Sequence, residues 1–493
     1  MSRRWLIAIV VYVLLLSSCR QERSAVAPTA TKQAPAAAAP GPCPSVNPNP
    51  FANSDTPPPA GYTGPLFQLS HHYPTSAPLP PPDGFPWTRT LNGKPISQST
   101  ADGYVKELKK YVTPNIRTLL YDYAHWNAEK AGWYNQPWLA NLQEPIRGAY
   151  KGLQFPPNAL PGQSQSMTTF VMTYYDHRAA ASLGRVWGAT AMNPVPALKN
   201  NAAQFDEGSV IVKLATNTLT GSEWPAMKGA AQLQLYTDPS GECAANTLFP
   251  VSFFQLDIVV KDSIASPETQ WVYTCLVFDN RHTCAEAPDG KCADAWDQMV
   301  PFGAMWGNDP RADSGYPTRL SQTWINPAFK DSYAVATLGW NGRLAGPNDG
   351  AVQPVSVNGK TVTLADSSCL SCHGSAEFPM KSFLVPAPAG NETSKEKDED
   401  QMPPPIIANG VLVSYAPSSP QWDRWFQSRN GSTAMDEGSI ALDYDMVYAI
   451  KSLPAWAEAT HQDKALQLPA LLRAMEAKRR GFPANALQYH GRP

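Results

Sequence analysis

The chain has no excess of charge of either sign and little charge of any kind. Lys and Arg total 39 against 41 Asp and Glu, a formal net charge of -2, and charged residues are 16% of the 493 positions. An even balance supplies no field to recruit a polyanion, so no nucleic-acid partner is expected. Long apolar runs are scarce. The run from Trp5 to Leu16 falls short of the roughly 18 residues that a bilayer span needs. No Ser/His/Asp set, phosphate-cradling glycine loop or paired-carboxylate motif stands out, which sets hydrolase and nucleotide chemistry aside. Proline (49) and tryptophan (15) are abundant, the mark of a loop-rich, aromatic-stitched exported protein. At roughly 100–200 residues per domain the length allows about two to four folded units.

Arg3 and Arg4 precede the apolar run and Leu16-Ser17-Ser18-Cys19 ends it. A basic start, a short apolar core and small residues before a cysteine read as a cleaved export signal. Leu-Ser-Ser-Cys resembles the bacterial lipoprotein lipobox, which implies a signal peptide over 1–19 and lipid attachment at Cys19. The body is then expected in the periplasm or at the cell surface, anchored to a bacterial membrane through lipid. Residues 20–60, with Ala-Pro repeats and Pro57-Pro58-Pro59, cannot bury a core and predict an extended tether. Cys43 lies in it, either as a free thiol or as half of a staple.

Thiols tend to oxidise in an exported compartment, so the 8 cysteines need roles. Cys369-Leu370-Ser371-Cys372-His373 has the form C-x-x-C-H, the c-type haem attachment sequence. Two intervening residues set both sulfurs along one porphyrin edge for bonding to its vinyl groups, and the adjacent imidazole reaches the iron. Given the cysteine and histidine content, roughly 0.002 chance matches are expected. A redox dithiol would sit in a βαβ pattern, which is not apparent, and a structural disulfide has no need of the histidine. The expected cofactor is covalent haem c, with Cys369 and Cys372 as anchors and His373 as iron ligand. Cys284 and Cys292 flank the turn-rich segment Ala285 to Lys291 and read as a local staple, with Cys243 to Cys275 as a second. No second Cys/His cluster has zinc spacing, which favours structural disulfides over a metal site.

Ser99 or Thr100 can cap a helix that sets Tyr104, Val105, Leu108, Tyr111 and Val112 on one face and stops at Pro114. Residues 61–204 otherwise read as an aromatic-rich mixed helical region, in which His125-Trp126, Trp133-Tyr134 and Pro137-Trp138 pack as core. From Gly208 the period changes to two. Ser209 to Leu219, Ala231 to Tyr236, Phe254 to Val260 and Trp271 to Phe278 predict strands without helical crossovers, hence an antiparallel sheet with one face buried. The connection from Asp294 to Gly346, with Met305-Trp306-Gly307 and Leu338-Gly339-Trp340, reads as a structured lid or haem surround. The expected class is α+β, with an antiparallel, haem-bearing β region over 205–383 and a charged loop and helices over 384–493.

Phe205 to Lys213, Val259-Val260-Lys261-Asp262, the strand opened by Trp271 and finally Cys369 to His373 follow an order that resembles the landmarks of two related families. These are the hydroxylamine-oxidising cytochromes whose c haem is cross-linked to a lysine, and the cytochromes c′-beta. The similarity covers about Phe205 to Glu377. It implies an antiparallel sheet over one haem face, His373 as proximal ligand, an open distal site, and Lys213 or Lys261 as the cross-link candidate. Taken alone, both lysines read as solvated strand residues. The Trp-rich body also resembles exported cytochrome c family proteins, a class that names the cofactor and no substrate.

Downstream, Lys395 to Asp400 is a solvated charge run. Leu442, Met446, Ala449, Ile450 and Leu453 fall on one helical face, and a last helix is expected from Pro469 to Gly481. The sixth iron position decides the chemistry: a thioether favours electron transfer, and an empty site admits small molecules. Met402 leads because its Met-Pro step resembles the distal-ligand loop of class I cytochromes c. Met435 is second, Met380 is a further candidate, and Met446 reads as core. The expected function is a monohaem c-type cytochrome passing electrons to a redox partner protein. The alternatives at an open face are a haem oxidoreductase whose small-molecule substrate is a nitrogen compound or peroxide, and a gas-binding haem protein.

Overall fold

Alternation in the middle of the chain builds one large sheet. The computed structural model describes residues 49–460 apart from 55, 71, 190–194, 241–244, 286–289, 313–319, 350–351, 358–359, 366, 381–405, 409–410 and 414–419. The sheet's nine strands are β1 (Trp133–Tyr134), β2 (Tyr150–Phe155), β3 (Met167–Asp176), β4 (Val210–Asn217), β5 (Gln232–Thr237), β6 (Thr247–Lys261), β7 (Trp271–Phe278), β8 (Met299–Met305) and β9 (Thr323–Ile325). Their order is β1-β3-β4-β6-β7-β8-β9, with β2 also on β3 and β5 also on β6. Every pairing is antiparallel. The described helices are α1 (Pro86–Arg89), α2 (Ala101–Tyr121), α3 (His177–Trp187), α4 (Cys369–His373), α5 (Pro420–Trp425) and α6 (Leu453–Ala459). Three small pairs complete the described strands: β10 (Val352–Val357) with β11 (Lys360–Ala365), β12 (Glu377–Phe378) with β15 (Ile440–Ala441), and β13 (Ile406–Ala408) with β14 (Val411–Val413). The class is α+β, and no described helix is long and apolar enough to cross a membrane.

The four expected strands form, and the sheet is larger than the sequence pattern marks. β3 pairs β4 across residue 205, so the sheet takes strands from both sides of that position. All ten residues of β3 and all eight of β7 are buried, which corrects the expectation of one buried face. A strand covered on both sides loses the alternation by which strands are recognised. The connection from Asp294 likewise contributes β8 and β9.

α2 corrects a second expectation, because it runs through Pro114 to Tyr121. The proline lacks the amide that would close one helical bond, at a cost of about 3 kcal/mol. Beyond it, Ile116, Leu119 and Leu120 are buried, and each contributes about 1.5–3 kcal/mol. Burial therefore wins. Thr100 is the N-cap residue, yet its side chain does not cap the helix; its hydroxyl accepts from the Ser97 amide at 2.9 Å. At the other end of the chain Leu442 precedes the expected helix, which opens as a π-turn over Tyr448–Ser452 and continues as α6.

The staple Cys284–Cys292 is present as a disulfide. The second staple is not: Cys275 is a buried free thiol on β7. Cys19, Cys43, Cys243, Met402 and the helix from Pro469 lie outside the described residues.

Candidate functional site

The C-x-x-C-H motif is α4, a single helical turn with both ends fixed. Ser368 and Ser371 form a reciprocal capping box, Ser371 N donating to Ser368 Oγ at 3.0 Å and Ser368 N to Ser371 Oγ at 2.7 Å. Ser371 is thus one of the two intervening residues and also fixes where the turn starts. Ser368 Oγ donates to Asn308 Oδ1 at 2.8 Å, Trp340 N to Ser367 O at 2.7 Å, and Cys369 N to Leu344 O at 3.0 Å. The tryptophan-bearing connection is therefore structured and hydrogen-bonds to the start of the motif. Arg343, fully buried, ties that connection together by donating to the carbonyls of Asn308, Trp340 and Asp309 at 2.8–3.0 Å. Gly339 is required here by close approach, since a Cβ would lie 2.1 Å from Ser367 O.

His373 Nδ1 lies 2.8 Å from the carbonyl oxygen of Tyr444. A carbonyl only accepts, so Nδ1 carries the proton and Nε2 keeps the bare lone pair. Burial pushes the imidazole pKa down to about 4, against the raising effect of the Tyr444 hydrogen bond and with a lowering contribution from Lys213. The ring is neutral at pH 7. The Tyr273 ring flanks it at 4.7 Å between centroids, and Tyr273 Oη donates to the same Tyr444 oxygen at 3.1 Å. Cys369 is a free thiol, half-buried, as is Cys372 in exposure.

The turn presenting that carbonyl is strained and heavily held. Asp443 and Tyr444 are consecutive non-glycine residues at φ 49° and 68°, each costing of order 1–3 kcal/mol. Asp443 accepts from Phe205 N at 2.7 Å and Trp271 Nε1 at 2.8 Å, and pairs with Lys261 Nζ. Tyr444 Oη donates to Arg429 O at 2.7 Å. Asp445 accepts from Tyr175 Oη at 2.8 Å and Gln136 Nε2 at 3.1 Å. β3, β6, β7 and the approach to β4 thus all fix one turn, and the turn fixes His373.

Beside the motif the sheet carries a second unusual feature. Lys213, Asp257 and Cys275 sit opposite one another on β4, β6 and β7, so their side chains share one face. Lys213 Nζ pairs with Asp257 at 3.3 Å and with Asp349, and Gln255 Nε2 donates to both carboxylates at 2.8–2.9 Å. Burial opposes the Lys213 charge, but Asp349 and Asp257 carry its pKa above the ordinary value. Burial, with Asp349 and Asp257 adding to it, pushes the Cys369 thiol well above its usual range. The two cross-link candidates are therefore not solvated strand residues: Lys261 is buried against Asp443 and Lys213 is held by two aspartates.

Sequence reasoning named Cys369, Cys372 and His373, and the structure brings them together on one turn. It missed Tyr444, Tyr273 and Asp443. Of the other ligand candidates, Met380 and Met446 are buried and Met435 sits on a turn whose amide donates to Glu377 at 2.7 Å. Set against family models, curated proteins and solved structures, the chain matches none of them.

Proposed function

We propose that α4 is a haem c attachment site and that the protein is a monohaem c-type cytochrome passing single electrons. The observation that carries this is the Tyr444 carbonyl 2.8 Å from His373 Nδ1. Such a bond fixes the tautomer and ring orientation that a metal-binding imidazole needs and leaves the Nε2 lone pair able to bind a metal. The residues fit the group: a neutral imidazole and two half-buried cysteines share one turn, and Cys369 is a free thiol available for a thioether. When bound, haem supplies a one-electron iron couple whose potential is set by axial ligand, hydrogen bonding and burial. Tyr444 and Tyr273 would orient His373, and Met402, outside the described residues, is the leading sequence candidate for a second iron ligand. Export and lipidation at Cys19 complete the reading, which places the carrier at a membrane surface in contact with a redox partner.

A second reading is a haem oxidoreductase with an open distal site, acting on a small nitrogen compound or peroxide. It is favoured by the Lys213, Asp257 and Asp349 cluster, since buried charges contribute little to stability. Absorption spectra of protein matured in a cytochrome-competent host separate the two. A methionine-ligated reduced haem resists carbon monoxide; immediate binding of the gas excludes the simple carrier, and colourless protein excludes both readings.

A further inference from the structure

Away from the motif, one histidine stands beside the Cys284–Cys292 disulfide. His282, Cys284 and Cys292 bring one ligand atom each to within 4.8 Å of one another, and all three are half-buried, so solutes reach them. We propose that this hairpin is a redox-gated metal site: the disulfide is its closed form, and after reduction by a dithiol the three side chains bind one thiophilic d10 cation, Zn2+ or Cu+. The proposal stands whether or not α4 carries haem.

The electrons balance simply. The dithiol gives two electrons and two protons to the sulfur–sulfur bond and itself becomes a disulfide, leaving two thiols. Binding of the cation then releases both thiol protons, because the thiolate is the ligand. While bonded to each other the two sulfurs offer no thiolate to an ion. Thiolates at about 2.3 Å from a tetrahedral centre stand about 3.8 Å apart, a separation that side-chain rotation reaches from Cα atoms 5.0 Å apart.

The hairpin does not depend on the disulfide for its shape. Cys284 N donates to Gly290 O at 3.2 Å, closing the loop through the backbone. His282 N donates to Asp279 O at 3.0 Å, Gln298 Nε2 reaches His282 O at 3.4 Å, and Cys292 Sγ lies 3.7 Å from the same oxygen. Opening the bond therefore leaves three ligands in place. Phe329 packs 6.2 Å from the imidazole. Of the charges that act on His282, Asp279 and Asp297 favour a cation and Lys109 opposes one. Soft thiolate with imidazole selects Zn2+ or Cu+ over hard cations.

The test uses the full chain carrying Cys369→Ser and Cys372→Ser, so that those thiols do not compete. Reduced with a phosphine under nitrogen, it is titrated with Co2+ and then Zn2+. Expected are one equivalent of Co2+ with sulfur-to-cobalt charge-transfer absorption, displacement by Zn2+, and no binding by the oxidised chain. His282→Ala keeps the disulfide and weakens binding at least tenfold; Cys284→Ser abolishes the charge-transfer band. Equal binding by the oxidised chain, no binding after reduction, or undiminished binding in His282→Ala each overturns the proposal. Circular dichroism of His282→Ala checks that its fold is retained.

Discussion

Asp443→Asn removes one charge and almost no shape. The amide oxygen still accepts from Phe205 N or Trp271 Nε1, while Lys261 loses its counter-ion. The paired side chains are 8% and 0% exposed, so water screens neither. Neutralising one partner of such a pair costs about 3–5 kcal/mol, against within about 0.5 for a typical surface change. Urea unfolding followed by tryptophan fluorescence is expected to show a loss of about 3–5 kcal/mol with an unchanged slope. Adding Lys261→Met to that variant removes the orphaned charge and is expected to restore at least about 2 kcal/mol, since neutral buried replacements are often tolerated. A loss below about 1 kcal/mol, or a further fall on adding Lys261→Met, would show that this pair does not hold the turn.

His373→Gly in matured protein is expected to lose the native axial-ligand spectrum and to regain it with added imidazole; a native spectrum without imidazole assigns the ligand elsewhere. Gly339→Ala drives a Cβ into the Ser367 carbonyl and should lower stability by about 1–3 kcal/mol in urea; an unaffected midpoint means the strand into α4 can shift freely. Burial pushes Asp176, the N-cap of α3, up to about 6. Its folded pKa exceeds the unfolded one, so its contribution is most favourable below about pH 4 and is lost as pH rises toward 6. Asp176→Asn should flatten the fall in urea midpoint across that window, and an unchanged slope contradicts the assignment.

What the sequence shows and what it hides follow from range. Val210–Asn217, Gln232–Thr237 and Trp271–Phe278 were legible because polar and apolar residues alternate or β-branched residues cluster there. Met167–Asp176 was not, because burial on both faces erases the period. α2 outruns Pro114 because Ile116, Leu119 and Leu120 reach the core, which propensity alone does not see. α4 is a local motif and was readable at sight. Its acceptor Tyr444 lies 71 positions on and matches no spacing rule, and His282, two positions before Cys284, fits no zinc spacing although its ring reaches the cysteine pair.

The held turn also bears on the proposal that His373 is more than a core histidine. A structural imidazole gains its hydrogen bond from any nearby acceptor. Here two left-handed residues at 443 and 444 and a buried Lys261 to Asp443 pair all work against stability in isolation. They persist together because elements from four parts of the chain over-determine them, and what they deliver is one carbonyl at one nitrogen. The cluster beside Cys369 extends the argument to the choice between carrier and enzyme. One lysine against two aspartates leaves a net negative charge on that side of the motif, which stabilises the oxidised form of a bound iron and lowers its potential. A methionine ligand raises it. A low potential therefore speaks for an open or nitrogen-ligated site and a high one for the methionine-ligated carrier, and in either case Asp349→Asn should raise it; a potential insensitive to Asp349 would show that the cluster's charge does not reach the iron.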